Sequence, residues 1–213
     1  NEHNIENIKS LGFVPTMGAL HNGHASLIEK ASEECDLVIV SILVNPTQFN
    51  EKNDLDNYPR EIAADAVIAN DAGCHVIFAP TAEDLYGGEP KADQTDWGCL
   101  TNSFEGKSRK GHFDGVIAVV DKLFSAIKPN KAYFGAKDLQ QVAVVQKMAR
   151  LKHPNIEIVS CDLIRDSKGL ALSSRNIRLS DQGITRALKL SSALFNVATN
   201  TLAGKSVKTA VDA

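Results

Sequence analysis

Pro15-Thr16-Met17-Gly18-Ala19-Leu20-His21-Asn22-Gly23-His24 decides how the rest of the 213-residue chain is read. It follows a short apolar run, Leu11 to Val14, and leads into a stretch of helical character, Ala25 to Glu34. Two histidines and two glycines therefore stand where a strand hands over to a helix. The free N–H groups of a helix's first turn, together with its dipole, make such a junction a natural phosphate site. Glycines let the backbone approach an anion closely. Imidazoles three residues apart share a side across one helical turn and can donate to phosphate oxygens. Zinc is the competing reading, but the His-x-x-His spacing supplies two ligands and no third stands out in the sequence.

Outward from that segment, apolar runs alternate with helical patterns. Leu37 to Val44 is β-branched and almost continuously apolar, the pattern of a buried parallel strand. Tyr58 to Asn70 reads as a helix that Gly73 can end, and His75 to Ala79 as a strand stopped by Pro80. Thr81 to Lys110 is irregular, and connections this long are often functional. Gly115 to Ile127 is amphipathic, Ala132 to Phe134 a short strand, Leu139 to Leu151 a helix and Ile156 to Cys161 a strand. A long helix is expected from Asp181 to about Leu202, with Ser180 as its N-cap. The alternation predicts the α/β class, a parallel sheet with helices on both faces. Ligands on such sheets bind at the carboxyl ends of strands, at a switch point in strand order.

The totals are those of an ordinary soluble domain, 43% hydrophobic and 23% charged. A net charge of −3 gives no sign of nucleic-acid binding, and an acidic substrate would need a locally positive pocket. No stretch approaches the roughly 18 apolar residues of a membrane span. The polar start, Asn1 to Ser10, lacks the apolar centre of a signal peptide. Cys35, Cys74, Cys99 and Cys161 show no Cys-x-x-Cys spacing and read as reduced thiols of a cytoplasmic protein.

Further segments fall just after predicted strands. Gln48, in Val44 to Asn50, offers a neutral amide to a substrate hydroxyl or carboxylate. Tyr58 and Arg60 can edge a pocket, and Lys107, Arg109, Lys110 and His112 sit in a glycine-bearing loop suited to clamping phosphate or simply to solvent. Lys137 lies at a helix start, where a cation opposes the dipole and an anionic ligand would explain it. Asp138 can cap that helix, with Gln141 one turn in. Ser173, Ser174 and Arg175 can hold a triphosphate, the guanidinium meeting the charge that moves to a leaving pyrophosphate. No serine or cysteine nucleophile with a companion base stands out. Phosphoryl and nucleotidyl transfer need positioning and charge stabilisation, which this set supplies.

PTMGALHNGH, VNPTQF, DLDNYPR, EGKSRKGHFDGV, YFGAKDLQQ and LSSRN, in this order, resemble the pantothenate synthetase (pantoate–β-alanine ligase) family of the His-x-Gly-His nucleotidyltransferase superfamily. The resemblance runs from about Gly12 to about Leu179. It implies ATP-dependent condensation of pantoate with β-alanine through a pantoyl adenylate, releasing AMP and pyrophosphate, a step of coenzyme A biosynthesis. ATP is then a substrate accompanied by Mg2+, and a homodimer is implied. It implies a Rossmann-like domain over residues 1–172 that binds ATP and pantoate. Residues 173–213 would begin a smaller C-terminal lid domain, partial because family members usually run well past Ala213. Carried over by position, Met17, Gly18, Ala19, Leu20, His21, Asn22, Gly23 and His24 form the ATP-phosphate loop, with His24 as proton donor. Gly135, Ala136, Lys137, Asp138, Ile164, Leu172, Ser173, Ser174 and Arg175 complete the ATP set. His21, His24, Lys137 and Arg175 are the implied catalytic residues, and Gln48 and Gln141 bind pantoate, Gln48 also β-alanine. The family usually has glutamate at 136 and often methionine at 172, so here no carboxylate adjoins Lys137 on that side. Another His-x-Gly-His nucleotidyltransferase and a non-catalytic nucleotide-binding relative are the alternatives.

Overall fold

The computed structural model describes residues 9–92 and 95–211. The chain divides into two compact units, Asn1–Asp162 and Leu163–Ala213. In the first unit the strands are β1 (Leu11–Thr16), β2 (Leu37–Ile42), β3 (Val76–Phe78), β4 (Lys131–Gly135) and β5 (Glu157–Cys161). Its helices are α1 (Asn22–Glu34), α2 (Lys52–Asp56), α3 (Ile62–Asp71), α4 (Ala82–Tyr86), α5 (Cys99–Asn102), α6 (Glu105–Ser108), α7 (His112–Ile127) and α8 (Leu139–Lys152).

The strands form one parallel sheet in the order β3-β2-β1-β4-β5, as the apolar runs predict. The chain builds outward from β1 to β3, then crosses back to place β4 on the other side of β1. The carboxyl ends of β1 and β4 thus flank the switch point, where such sheets bind ligands. Pro15 sharpens the opening. β1 pairs with β2 along its whole length but with β4 only at Gly12 and Phe13. A proline cannot donate to a ladder, and it falls beyond the residues where β1 meets β4.

Successive residues of the central strands face opposite cores, the two-residue period of β-structure. Phe13, Ala132 and Phe134 pack with Val116, Val120, Phe124, Val144 and Met148 of α7 and α8. Val14, Val38, Val40 and Tyr133 pack with Ile28 and Ala31 of α1 and Ala69 of α3. Helices therefore cover both faces, which is the predicted α/β class.

Several boundaries differ from the sequence reading. The helix expected from Tyr58 begins at Ile62, and a separate short helix, α2, precedes it. Pro59 accounts for the gap, because the residue before a proline is pushed out of helical geometry. The irregular stretch from Thr81 to Lys110 contains α4, α5 and α6, each of only four or five residues and too short to leave a periodic signal. α1 starts at Asn22 and α7 at His112, each three residues earlier than expected.

The second unit opens with a turn closed by an antiparallel bridge between Arg165 and Ala171. Arg165 donates to the Gly169 carbonyl at 2.9 Å and to Ser191 Oγ at 2.6 Å. Ser191 belongs to the long helix α9 (Asp181–Leu202), which α10 (Val207–Val211) follows. Ser180 caps α9 as expected, accepting from Gly183 N at 3.2 Å. All four cysteines are free thiols, Cys35 and Cys161 buried and Cys99 exposed. No helix among the described residues is long and apolar enough to cross a membrane.

Candidate functional site

The loop after β1 is sharply bent and firmly held. Gly18 and Ala19 take left-handed φ values of 81° and 51°. Glycine adopts that region at no steric cost, whereas alanine pays for it. A Cβ at Gly18 would also lie 2.8 Å from Asp65 Oδ2. Asp65 comes from α3 and is 2% exposed. Its carboxylate accepts from Ala19 N at 3.0 Å and Leu20 N at 2.7 Å. Thr16 Oγ1 accepts from Gly18 N at 3.1 Å and donates to the Ser41 carbonyl at 2.7 Å, tying the loop to β2. Asp65 is a residue the sequence reading passed over. Its signal was an acid inside the otherwise apolar run Ile62 to Ala69.

The two histidines of this loop cap α1. His21 is the N-cap residue, and its Nδ1 accepts from Gly23 N at 3.1 Å. His24 Nδ1 accepts from His21 N at 3.3 Å. A backbone N–H can only donate, so both Nδ1 atoms are acceptors and each neutral ring carries its proton on Nε2. The rings lie 4.1 Å apart between centroids. Burial, and then the neighbouring His21 and Lys137, push the His24 pKa down to about 3. Burial and Lys137 lower that of His21. At neutral pH the pair is thus two uncharged Nε2–H donors beside the Lys137 cation.

That electrostatic arrangement has a stability consequence. The unfolded chain binds a proton at His24 as the pH falls through 6.5, while the folded protein declines it until about 3. His24 therefore contributes stability that is present above pH 6.5 and is lost progressively below it, by up to about 1.4 kcal/mol per pH unit. Urea unfolding at pH 5 and pH 7 is expected to show up to about 2 kcal/mol more acid loss in the wild type than in a His24→Asn variant. Equal slopes for the two proteins would contradict the lowered pKa.

A cleft of about 170 Å³ opens below this loop, lined by Pro15, Thr16, Met17, His24, Leu43, Gln48, Tyr58, Val116, Val119, Val120, Leu123, Phe134, Asp138 and Gln141. It collects residues that follow β1, β2 and β4. Gln48 ends a 3-10 turn, Pro46–Gln48, after β2. Its Nε2 donates to Met17 Sδ at 2.9 Å and its Oε1 accepts from Asn45 Nδ2 at 3.2 Å. Asn45, fully buried, also donates to the Gly115 carbonyl at 3.1 Å and accepts from Tyr86 Oη at 3.2 Å. The apolar wall comes from α7. Polar ends and an apolar flank are the usual make-up of a small-molecule site.

Gln140 and Gln141 divide their work. Gln140 turns away, donating to the Leu100 and Ser103 carbonyls at 3.0 and 2.8 Å and accepting from Glu105 N at 3.1 Å. Gln141 lines the cleft. Ala136, Lys137 and Asp138 form a 3-10 turn after β4. Asp138 does not cap α8 as expected; its carboxylate instead pairs with Lys137 Nζ, 3.1 Å from each oxygen. A carboxylate thus adjoins Lys137 from the C-terminal side, although Ala136 offers none.

Other predicted residues fall outside this cleft. Arg60 donates to the Tyr58 and Leu55 carbonyls at 3.3 and 2.9 Å, closing its own turn. Lys107, Arg109 and Lys110 line a separate concavity with Thr101, Phe113 and Asp114. His112 is buried, its Nδ1 2.8 Å from the Gln48 carbonyl, and so is not a member of an exposed basic clamp. Ile164, Leu172, Ser173, Ser174 and Arg175 belong to the second unit. There the Ile164 carbonyl accepts from Leu172 N at 3.0 Å, and Ser173 Oγ accepts from Arg175 N at 3.3 Å. Among the described residues no group of three or more His, Cys, Asp or Glu could hold a metal ion.

The sequence matches the family described as Pantoate-beta-alanine ligase over residues 1–213. It is 52% identical to the pantothenate synthetase of Porphyromonas gingivalis over 174 residues, 82% of this chain and 62% of that protein. The chain thus spans about 62% of the length of that relative. Among solved structures it resembles pantothenate synthetase from Thermus thermophilus, with a TM-score of 0.90 and 42% identity over 96% of this chain and 74% of that one. It also resembles pantoate-beta-alanine ligase from Francisella tularensis, solved with "beta-gamma ATP" and β-alanine. There the TM-score is 0.81 and the identity 45%, covering 86% and 70% of the two chains.

Proposed function

The chain belongs to the pantoate–β-alanine ligase family, and from that premise we propose that it condenses pantoate with β-alanine at the expense of ATP, forming pantothenate, AMP and pyrophosphate. The observation that carries this reading is the single cleft that gathers Met17, His24, Gln48 and Gln141 at the carboxyl ends of the strands. The Francisella tularensis relative, solved with a form of ATP and β-alanine, supports the same substrate pair.

In the first step a pantoate carboxylate oxygen attacks the α-phosphorus of ATP, the α–β phosphoanhydride bond breaks, and pyrophosphate leaves. No base is needed, because a carboxylate is already ionised at pH 7. Gln48 and Gln141 hold pantoate in line, and the α7 wall takes its branched carbon. His21 and His24 give their Nε2–H donors to the phosphates, with Lys137 adding charge. A triphosphate beside them would raise both imidazole pKa values, so His24 begins as a hydrogen-bond donor and gains acid character only with nucleotide bound. Gly18 to Gly23 and Gly135 to Asp138 supply the remaining ATP contacts of the first unit. Ile164, Leu172, Ser173, Ser174 and Arg175 supply those of the second, with Arg175 meeting the leaving pyrophosphate. In the second step the neutral amine of β-alanine attacks the acyl carbon and AMP departs. Mg2+ would accompany ATP as a counter-charge to its phosphates, held mainly by the substrate rather than by an all-protein cage. A Rossmann-like domain over residues 1–172, the start of a lid over residues 173–213, a homodimeric state and a cytoplasmic location complete the reading.

Incubation with ATP, pantoate and β-alanine is expected to yield AMP, pyrophosphate and pantothenate in equal amounts. Release of ADP and phosphate would contradict it. A Gln141→Ala change should raise KM for pantoate by about tenfold, the loss of one or two hydrogen bonds, with KM for ATP nearly unchanged. A parallel rise in both constants would place Gln141 outside the acid subsite.

A further inference from the structure

The 3-10 turn that carries Gln48 has three residues, closed by Gln48 N on the Asn45 carbonyl at 3.4 Å and Phe49 N on the Pro46 carbonyl at 3.2 Å. Asn45 Nδ2 also donates to Gln48 Oε1 at 3.2 Å. The first turn of α7 adds a further hold from outside the turn. His112 Nδ1 lies 2.8 Å from the Gln48 carbonyl oxygen, and the ring is 7% exposed. A carbonyl can only accept, so Nδ1 is the donor. Three residues on, a Cβ at Gly115 would collide with the Thr47 carbonyl, so helix and turn are in direct backbone contact. Holding the Gln48 carbonyl restrains the Gln48–Phe49 peptide plane, and with it the direction in which the Gln48 side chain leaves the backbone, while Asn45 Nδ2 and Met17 Sδ meet the amide itself.

We propose that His112 is a positioning residue for the acid subsite, aiming Gln48 through its backbone carbonyl. The proposal rests on the ligase reading, in which Gln48 contacts pantoate. His112 touches neither substrate; its contribution is to hold the amide of Gln48 where a small carboxylic acid can meet it. The fold-change expected from one lost hydrogen bond is about five- to tenfold.

The test is calorimetric titration of the purified protein with pantoate and, separately, with ATP. His112→Phe fills the space without a donor, and His112→Asn returns a donor, Nδ2, at the position of Nδ1. The wild type and His112→Asn should bind pantoate within about twofold of each other, while His112→Phe binds it about five- to tenfold more weakly. ATP affinity should be the same for all three, which also reports that the variants are folded. Equal pantoate affinity in His112→Phe, or failure of His112→Asn to restore it, overturns the positioning role alone. A parallel loss of ATP affinity also overturns it, since the effect would then be general. Absence of pantoate binding in the wild type overturns the ligase reading itself, and the positioning role with it.

Discussion

Replacing His24 by alanine is expected to lower turnover by about 10²–10³-fold, the usual cost of removing one preorganised donor from a transition state. The ring is neutral, its Nδ1 is occupied by His21 N at 3.3 Å, and in the proposed reaction its Nε2–H is the donor offered to phosphate. The same substitution frees a backbone N–H at the helix start and should cost about 1 kcal/mol of stability. His24→Asn separates the two effects. An asparagine Oδ1 can accept from His21 N as Nδ1 does, but nothing replaces Nε2. Stability in urea should therefore recover while turnover stays low. Recovery of both in the asparagine variant would mean that His24 serves only as a cap.

Replacing Asp65 by alanine is expected to lower the unfolding free energy by about 3 kcal/mol, because two hydrogen bonds to a charged acceptor are lost in a buried setting. The carboxylate holds Ala19 N and Leu20 N at 3.0 and 2.7 Å, and it does so across a bend in which Ala19 takes φ 51°. A left-handed alanine persists only where its surroundings over-determine it. Without Asp65 the bend should relax, and the histidines that follow it should lose their register with Lys137. Weaker ATP binding should accompany the fall in stability. Asp65→Asn keeps one acceptor but sets an amide N–H2 against a backbone donor, so it should lie between wild type and alanine. An Asp65→Ala protein as stable in urea as the wild type would show that the loop is held by other means.

The sequence was most legible where chemistry and periodicity coincide. Leu37 to Val44 reads as a buried parallel strand, and the strand forms over Leu37–Ile42 with Val38 and Val40 fully buried. The Pro15 to His24 segment is a strand-to-helix junction as read, running from the end of β1 into the first turn of α1. What escaped were residues whose partners are distant in sequence. Asp65 acts on residues 45 and 46 positions earlier in the chain, and His112 acts on one 64 positions earlier. Neither separation leaves a local pattern. The start of α1 was missed for another reason, since histidine stands outside the usual Ser, Thr, Asp and Asn set of N-caps. Lys137 reads from sequence as a cation at a helix start, but its pairing with Asp138 leaves no sequence signal, because adjacent side chains seldom face each other on a helix. The two nonetheless meet at the 3-10 turn Ala136–Asp138, with Lys137 Nζ 3.1 Å from each Asp138 oxygen.

Pantoate activation in the cleft is tested most directly by exchange of labelled pyrophosphate into ATP, with β-alanine left out. A carboxylate attacking the α-phosphorus makes the first step reversible on its own, so exchange should require pantoate and proceed without β-alanine. It should fall sharply in the His24→Asn protein, whose urea stability is expected to match the wild type's. Absence of exchange, or exchange that proceeds equally without pantoate, would contradict formation of a pantoyl adenylate at this site.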